Sequence, residues 1–408
     1  MRTNVLTIAL TLILSLPSFG AEAILVHATR DVHGFTRDSV RVDGTVAPIM
    51  RVPKRGSTDY ISFNFGGDRE VGGVILRWDS RAYPGETIVY TSSDGRKWQP
   101  AASSKNAFGG DRMIVIPHQR TRAILVECKE PQTEGPLVLQ SIDVLSEDVT
   151  RTPAPYEARL VADARKGLFP GALVGQTPAL GVLTDSASGQ AVRLSDEGSA
   201  YPSGLPGAIE PFLYVRKQLL TWADASRRLD TAGKLQTTMS FKGVKLTVTP
   251  AYHRSGGVSM LVLRYQVQNA SAAKQSGKLF LTVRPFGLPI GSAQPEGKGL
   301  QRMAFGRGRF DVNGSTWIYP VGKPAKAGIS PLSNGDITAY LERGIVPQDQ
   351  AAFHIGGMVS GAAAYDFSLA KGKSLDVYVV IPGASASSDW KPPTAKELAK
   401  RIAPATKR

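Results

Sequence analysis

The sequence holds a single cysteine, Cys128, so no intramolecular disulfide can staple it. That residue sits in AILVECKE, an alternating apolar stretch, and reads as a buried, inert thiol. Histidine is scarce as well. His27, His33, His118, His253 and His354 never fall four apart around a Glu, which excludes a zincin-type site. No cofactor is expected, and no motif supports a structural calcium ion. There is no G-x-S-x-G elbow. Gly291–Lys298 (GSAQPEGK) has one residue too many for a phosphate loop, and Gly306-Arg307-Gly308 lacks the third glycine of a dinucleotide fingerprint. Both read as turns. After the N-terminus, no apolar run approaches the roughly 18 residues of a membrane span.

Charge is plentiful but not concentrated. The net charge is +15 over 408 residues, with Lys and Arg scattered singly. Only Asp389–Arg408 gathers bases. Nucleic-acid binding would want basic residues interleaved with exposed aromatics on a recognisable module, and none is found. A basic surface that keeps an exported protein soluble, or adheres it to anionic polymers, fits better. Arg2 followed by the apolar Val5–Leu16 and by Ala21-Glu22-Ala23 has the form of a signal peptide over residues 1–23. The protein is therefore expected to be exported, periplasmic or extracellular, with no transmembrane segment after cleavage.

What remains is rich in glycine (42) and proline (27), and its periodic segments alternate at period two. The first set is Tyr60–Phe65, Gly73–Trp78, Thr87–Ser92, Met113–Pro117, Arg122–Cys128 and Val138–Leu145. Turn clusters at Phe65–Asp68, Tyr83–Glu86 and Ser93–Gly95 separate them. The Pro-containing Thr150–Tyr156 reads as a linker. A second set runs through Leu235–Phe241, Val244–Thr249, Met260–Val267, Leu279–Val283, Ser315–Tyr319, Thr338–Leu341 and Ser374–Ile381. Thr394–Glu397 has capping-box form, and Leu398 and Ile402 lie four apart, so one short helix closes the chain. The expectation is an all-β protein with two sandwich domains, 24–150 and 151–385, and a basic tail at 386–408. Among acidic pairs Asp196-Glu197 stands out, but neighbours on a strand face opposite ways. A solvated turn is expected there rather than a catalytic pair.

The stretches Gly73–Trp78 (GVILRW), Ser92–Trp98 (SSDGRKW), RAILVEC and LQSIDVLS resemble the discoidin, or coagulation-factor type C, family over about 110 residues. The cysteine pair of many animal members is missing. In this motif Asp94-Gly95 makes a tight hairpin turn. Trp78 and Trp98 read as core, with Trp98 covering one end. The resemblance implies a galactose-binding-like jelly roll that docks sugars through its loops. Arg81 and Tyr83 in DSRAYPG, and Asn106 and Phe108 in SKNAFGG, are the residues with the required mixture of aromatic and polar groups. Each taken singly also fits ordinary loop packing.

The segments LLTWAD (Leu219–Asp224), LRYQVQN (Leu263–Asn269) and LFLTVRPF (Leu279–Phe286) resemble the super-sandwich domain that precedes the (α/α)₆ barrel in glucoamylase-like hydrolases and disaccharide phosphorylases. In that family the catalytic carboxylates lie on the barrel. This chain carries no helical repeat, so no catalytic residue is assigned. Together these readings point to a non-catalytic carbohydrate-binding protein, the ancillary part of a split or truncated glycosidase. Its partners would be a poly- or oligosaccharide and a separate catalytic chain, with an apolar face or the Trp390–Arg408 tail as the docking element. The alternatives are a glycosidase or phosphorylase component, and an adhesion module that binds protein or cell surface.

Overall fold

The computed structural model describes residues 25–28, 40–42, 45–47, 50–52, 58–105, 108–132, 137–145, 161, 164–287, 299–322 and 324–402. The chain divides into two compact units, Met1–Pro153 with Leu332–Asp336, and Ala154–Pro331 with Ile337–Arg408. The expected linker at 150–156 and the signal peptide lie outside the described residues. Among the described residues nearly all the regular structure is β, as the period-two patterning predicts, and the strand pairings are antiparallel except where Arg41 and Val42 run parallel to Ser141 and Ile142.

In the first unit the strands are β1 (Leu25–Ala28), β2 (Val40–Val42), β3 (Thr45–Ala47), β4 (Met50–Val52), β5 (Thr58–Trp78), β6 (Pro84–Ser92), β7 (Gln99–Lys105), β8 (Gly110–Pro131) and β9 (Leu137–Leu145). Their order is β3-β2-β9-β5-β8-β6-β7, with β1 on β5 and β4 on β9. Two pairs of expected strands are fused. Tyr60–Phe65 and Gly73–Trp78 form one strand, and Met113–Pro117 and Arg122–Cys128 form another. The Phe65–Asp68 cluster is no chain reversal. It is a bulge between Asn64 and Arg69, across which β5 stays paired with β8. Gly66 takes φ 79° there, and its N–H donates to Asn64 Oδ1 at 2.9 Å. Before the bulge β5 pairs with β1 and the end of β8; after it, with β9 and the start of β8. Both halves feed one core, Ile61 and Phe63 from the first, Val74, Leu76 and Trp78 from the second. The result is a sandwich whose layers share two strands. Cys128 is buried in that core.

The second unit contains β10 (Leu180–Thr184), β11 (Ala191–Ser195), β12 (Ala200–Pro202), β13 (Ala208–Val215), β14 (Gln218–Leu220), β15 (Ser226–Asp230), β16 (Gln236–Phe241), β17 (Val244–Ser255), β18 (Val258–Asn269), β19 (Gln275–Arg284), β20 (Arg302–Gly306), β21 (Arg309–Val312), β22 (Thr316–Val321), β23 (Lys326–Pro331), β24 (Ala351–Phe353), β25 (Val359–Leu369) and β26 (Ser374–Pro382). They form two separate sheets, β10-β11-β12-β13-β19-β25-β23 with β14 on β13, and β15-β16-β17-β18-β26-β22-β21-β20-β24. Leu213, Leu279 and Ala363 of the first meet Leu246, Leu263 and Val379 of the second in a shared core. Thr338–Leu341, read as a strand from sequence, is a short helix, α1. Ile337 and Leu341 lie four apart and bury together with Phe212 and Phe280 on the far side of the first sheet. The closing helix α2 (Ala395–Ile402) forms as expected. Thr394 N–H donates to Glu397 Oε2 at 2.7 Å, and Glu397 N–H to Thr394 Oγ1 at 3.4 Å. Leu398 and Ile402 bury against Met260, Val262, Tyr378 and Val380. The tail's apolar stripe is thus taken up by its own unit.

Candidate functional site

Of the four residues selected from sequence, Asn106 lies outside the described residues. The other three occupy two neighbouring loops of the first unit. The loop after β5 is bound to β9 on both sides. Asp79 N–H donates to Val138 O, and Val138 N–H to Ala82 O, each at 2.9 Å. Asp79 Oδ1 accepts from Arg81 N–H at 2.8 Å, and its Oδ2 from Gln140 Nε2 at 3.2 Å. Held this way, Arg81 is exposed, while the Tyr83 ring is half-buried against the core. The sequence reading placed a turn at Tyr83–Glu86, but Pro84 already begins β6 and the reversal lies at 79–82.

The second loop leads into β8. A Cβ on Gly109 would lie 2.2 Å from Asp79 O and 2.6 Å from the Ser80 Cα, so only glycine lets the two loops touch. Beneath Phe108 sits Arg112, 2% exposed. Its guanidinium donates to Asp111 O at 2.6 Å, to Gly109 O at 3.4 Å and to Phe108 O. Arg77 pairs with Asp111 at 2.9 Å. On the other flank Lys105 N–H donates to Asn334 Oδ1 at 2.9 Å. Gly335 leaves room for Arg112, which a Cβ there would meet at 2.7 Å. One exposed guanidinium and two half-buried rings therefore share a rigidly tied end of the sandwich. Such a set can donate to hydroxyls and stack against C–H faces. It contains no nucleophile–base pair.

The Ser93–Gly95 turn is where the sequence puts it, in a longer form. A loop of 93–98 joins β6 to β7, and Asp94 Oδ1 accepts from the N–H groups of Arg96 and Lys97, both at 2.8 Å. These bonds hold its carboxyl below the ordinary value. Trp98 is half-buried, and Trp78 is core.

Asp196-Glu197 corrects the expectation of a solvated turn. The Glu197 side chain is buried, and its Oε1 and Oε2 accept the Gly171 N–H at 3.0 and 3.2 Å. Burial pushes its carboxyl up to about 7, and the nearby charges of Asp196 and Glu210 add to this against Arg227. Arg227 lies 3.2 Å from Asp196 and stacks over Trp222, whose indole donates to Phe169 O at 2.9 Å. Close by, buried Glu210 pairs with fully buried Arg284 at 3.0 Å, and Arg284 also donates to Leu168 O at 2.8 Å. Three polar contacts thus clasp the 168–171 segment. Nothing in the local sequence signals this, because the partners lie 26 to 116 residues away. Among the described residues no group of His, Cys, Asp and Glu is disposed to hold a metal ion, and no helix is long and apolar enough to cross a membrane.

No protein-family model matches the chain, and no curated protein matches it. Solved structures do resemble part of it. Chitosan-binding module 1 from a chitosanase/glucanase of Paenibacillus sp. IK-5 is 19% identical over 24% of this chain and 76% of its own, at a TM-score of 0.23. A Clostridium perfringens protein, CpGH89CBM32-6, is 10% identical over 30% of this chain and 94% of its own, also at 0.23. The C-terminal domain of a Bacteroides fragilis chitobiase is 12% identical over 23% and 66%, at 0.21. At this level these are likenesses of a segment and define no site.

Proposed function

We propose that this chain is an exported, non-catalytic carbohydrate-binding protein. In this reading the first unit is a discoidin-like, galactose-binding-like jelly roll, and its 79–83 and 108–110 loops take a poly- or oligosaccharide. Arg81 donates to sugar hydroxyls, Tyr83 and Phe108 flank the ring, and Asn106 supplies a further amide. The second unit is a super-sandwich, and the whole serves as the ancillary part of a glycosidase system outside the cytoplasm. The observation that carries the reading is the seating of Gly109 on Asp79 and Ser80, which joins the two selected loops. Loops joined and braced this way lose little freedom when a ligand arrives, which favours binding.

A glycan array probed with the purified chain tests it. Binding to a defined glycan class is expected, weakened at least tenfold by Arg81→Ala and by Tyr83→Ala. Silence on every glycan would sink sugar binding. Sustained hydrolysis of an arrayed glycan, lost on changing one Asp or Glu, would sink the non-catalytic part.

A further inference from the structure

Strand register gathers four turns at one end of the second unit. In one sheet Val215, which ends β13, faces Gly277 near the start of β19, and Gln275, which begins β19, faces Leu369, which ends β25. In the other sheet Phe241 faces Val244 at the β16–β17 reversal. Val244 also faces Asn269 at the end of β18, and Gln268 faces Ser374 at the start of β26. The β18–β19 and β25–β26 connections pass from sheet to sheet here, so both sheets end together. The turns 216–217, 242–243, 270–274 and 370–373 crown this end. They hold Arg216, Lys217, Lys242, Lys274, Lys371 and Lys373, all exposed, and no Asp or Glu. Among the described residues none of these six side chains is in an ion pair. Asp366 and Asp376 stand back within β25 and β26, and Arg264 takes Asp376 in a two-point pair at 3.0 and 3.1 Å.

The crown is braced from beneath. Asn269, 1% exposed, donates through Nδ2 to Ala273 O at 2.8 Å and to Leu369 O at 2.9 Å. Its Oδ1 accepts the Ser271 N–H at 2.8 Å. Its main-chain N–H donates to Lys373 O, and its carbonyl accepts from Gly372 N–H, each at 3.0 Å. Next to it, Ala270 N–H donates to Gly243 O at 3.1 Å. Asn269 and its neighbour thus tie three of the four turns together. The fourth is a two-residue reversal, since Val215 faces Gln218. Its Arg216 and Lys217 take φ 53° and 62°, left-handed positions where Asn-Gly would be least strained. From β14 to β25 the crown crosses three strand spacings, on the order of 15 Å, and the two sheets lie about 10 Å apart.

We infer that this crown is a binding surface for a linear polyanion, a polysaccharide carrying sulfate or phosphate esters along its length. Five of the six cations are lysines, point charges on flexible stems that accept such groups in varied orientations. Spread over the crown, they match a row of repeated charges better than a single anion. The turns offer no ring for a nucleobase to stack on and no large apolar side chain to enter a bilayer. Affinity is therefore electrostatic and comes with release of the polymer's counterions. The surface belongs to the second unit and does not depend on the sugar-binding role proposed for the first.

Titration calorimetry of the full chain with heparin, and with dextran as the uncharged counterpart, tests it. Heparin should bind, and its affinity should fall at least tenfold between about 0.05 and about 0.2 M salt. Lys274→Glu combined with Lys371→Glu should also cost at least tenfold. The charge-matched pair Lys396→Glu and Lys400→Glu, exposed on α2, should bind like the parent. Thermal melts of both pairs should match the parent and rule out unfolding. Arg216→Asn with Lys217→Gly relieves the strained tip, so it should melt higher than the parent yet bind heparin several-fold more weakly. The inference is overturned if heparin does not bind, if dextran binds equally well, or if both crown variants bind like the parent. It is also overturned if the α2 pair weakens binding as much as the crown pair, or if Arg81→Ala abolishes it. Tighter binding to duplex DNA or to phosphatidylglycerol vesicles than to heparin would overturn the assignment to a polysaccharide.

Discussion

Each unit buries an arginine, and the two do different work. Arg112 in the first unit is 2% exposed and props a loop by donating to the main-chain carbonyls of its own turn. Arg284 in the second is fully buried, pairs with Glu210, and lies 4.4 Å from the Phe286 ring centroid and 4.9 Å from that of Phe169. The carbonyls that Arg112 grips lie within four residues of it, and what they shape is an exposed loop. The second is long-range and fixes the interior. An exposed loop can be propped by the carbonyls of its own turn, whereas a buried charge network is assembled from distant segments. The following experiments sharpen or break that contrast.

The largest effect is expected from Arg284→Ala. Breaking a buried pair strands Glu210, at a cost of about 3–5 kcal/mol. Chemical denaturation should show the second unit's transition shifted by that amount. Arg112→Ala should cost less, about 1–3 kcal/mol, through loss of its bonds to the Phe108, Gly109 and Asp111 carbonyls. Equal costs would break the contrast.

Next is the pH response of Glu197. Its carboxyl is raised from 4.5 to about 7 in the folded protein, so the folded state holds the proton more tightly than the unfolded chain does. Stability from this group is therefore greatest below pH 4.5 and declines as pH rises through the window up to about 7. The total decline is roughly 3 kcal/mol. Urea titrations at pH 5 and pH 8 should show the loss in the parent, and Glu197→Gln should flatten it. A parent that gains stability across this window through this group would contradict the assignment.

In the first unit, Gly109→Ala places a methyl 2.2 Å from Asp79 O. Forcing the loops apart should cost about 1–3 kcal/mol and remove glycan binding measured by calorimetry. Gly95→Ala, at φ 71° with open space around it, strains a turn on a different loop and should leave binding intact. The smallest effect belongs to the α2 cap. Thr394→Ala should lower stability by about 1 kcal/mol in thermal melts, without touching binding.

Much of this is legible in the sequence. Alternation gave the β class, Asp94-Gly95 marked a real reversal, Trp78 lies in the core, and the Thr394–Glu397 cap closes as spaced. Those features depend on neighbours a few residues apart. The misreadings share the opposite cause. Phe65–Asp68 looks like a turn because its glycines permit one, yet pairing with β8 carries the strand through as a bulge. Thr338–Leu341 is too short to declare a period, and packing of Ile337 and Leu341 made it helical. Glu197 looked solvated because Gly171 and Arg227, which enclose it, are remote in sequence. On the loops, sequence supplied the residue types, but the Gly109 contact that joins them was not visible in it.

The most direct test of the sugar-binding account is amide hydrogen exchange of the full chain, with and without the glycan selected on the array. The account predicts slowed exchange at 79–83 and 108–112 on binding. A footprint that misses both loops, or no footprint at saturating glycan, would contradict it.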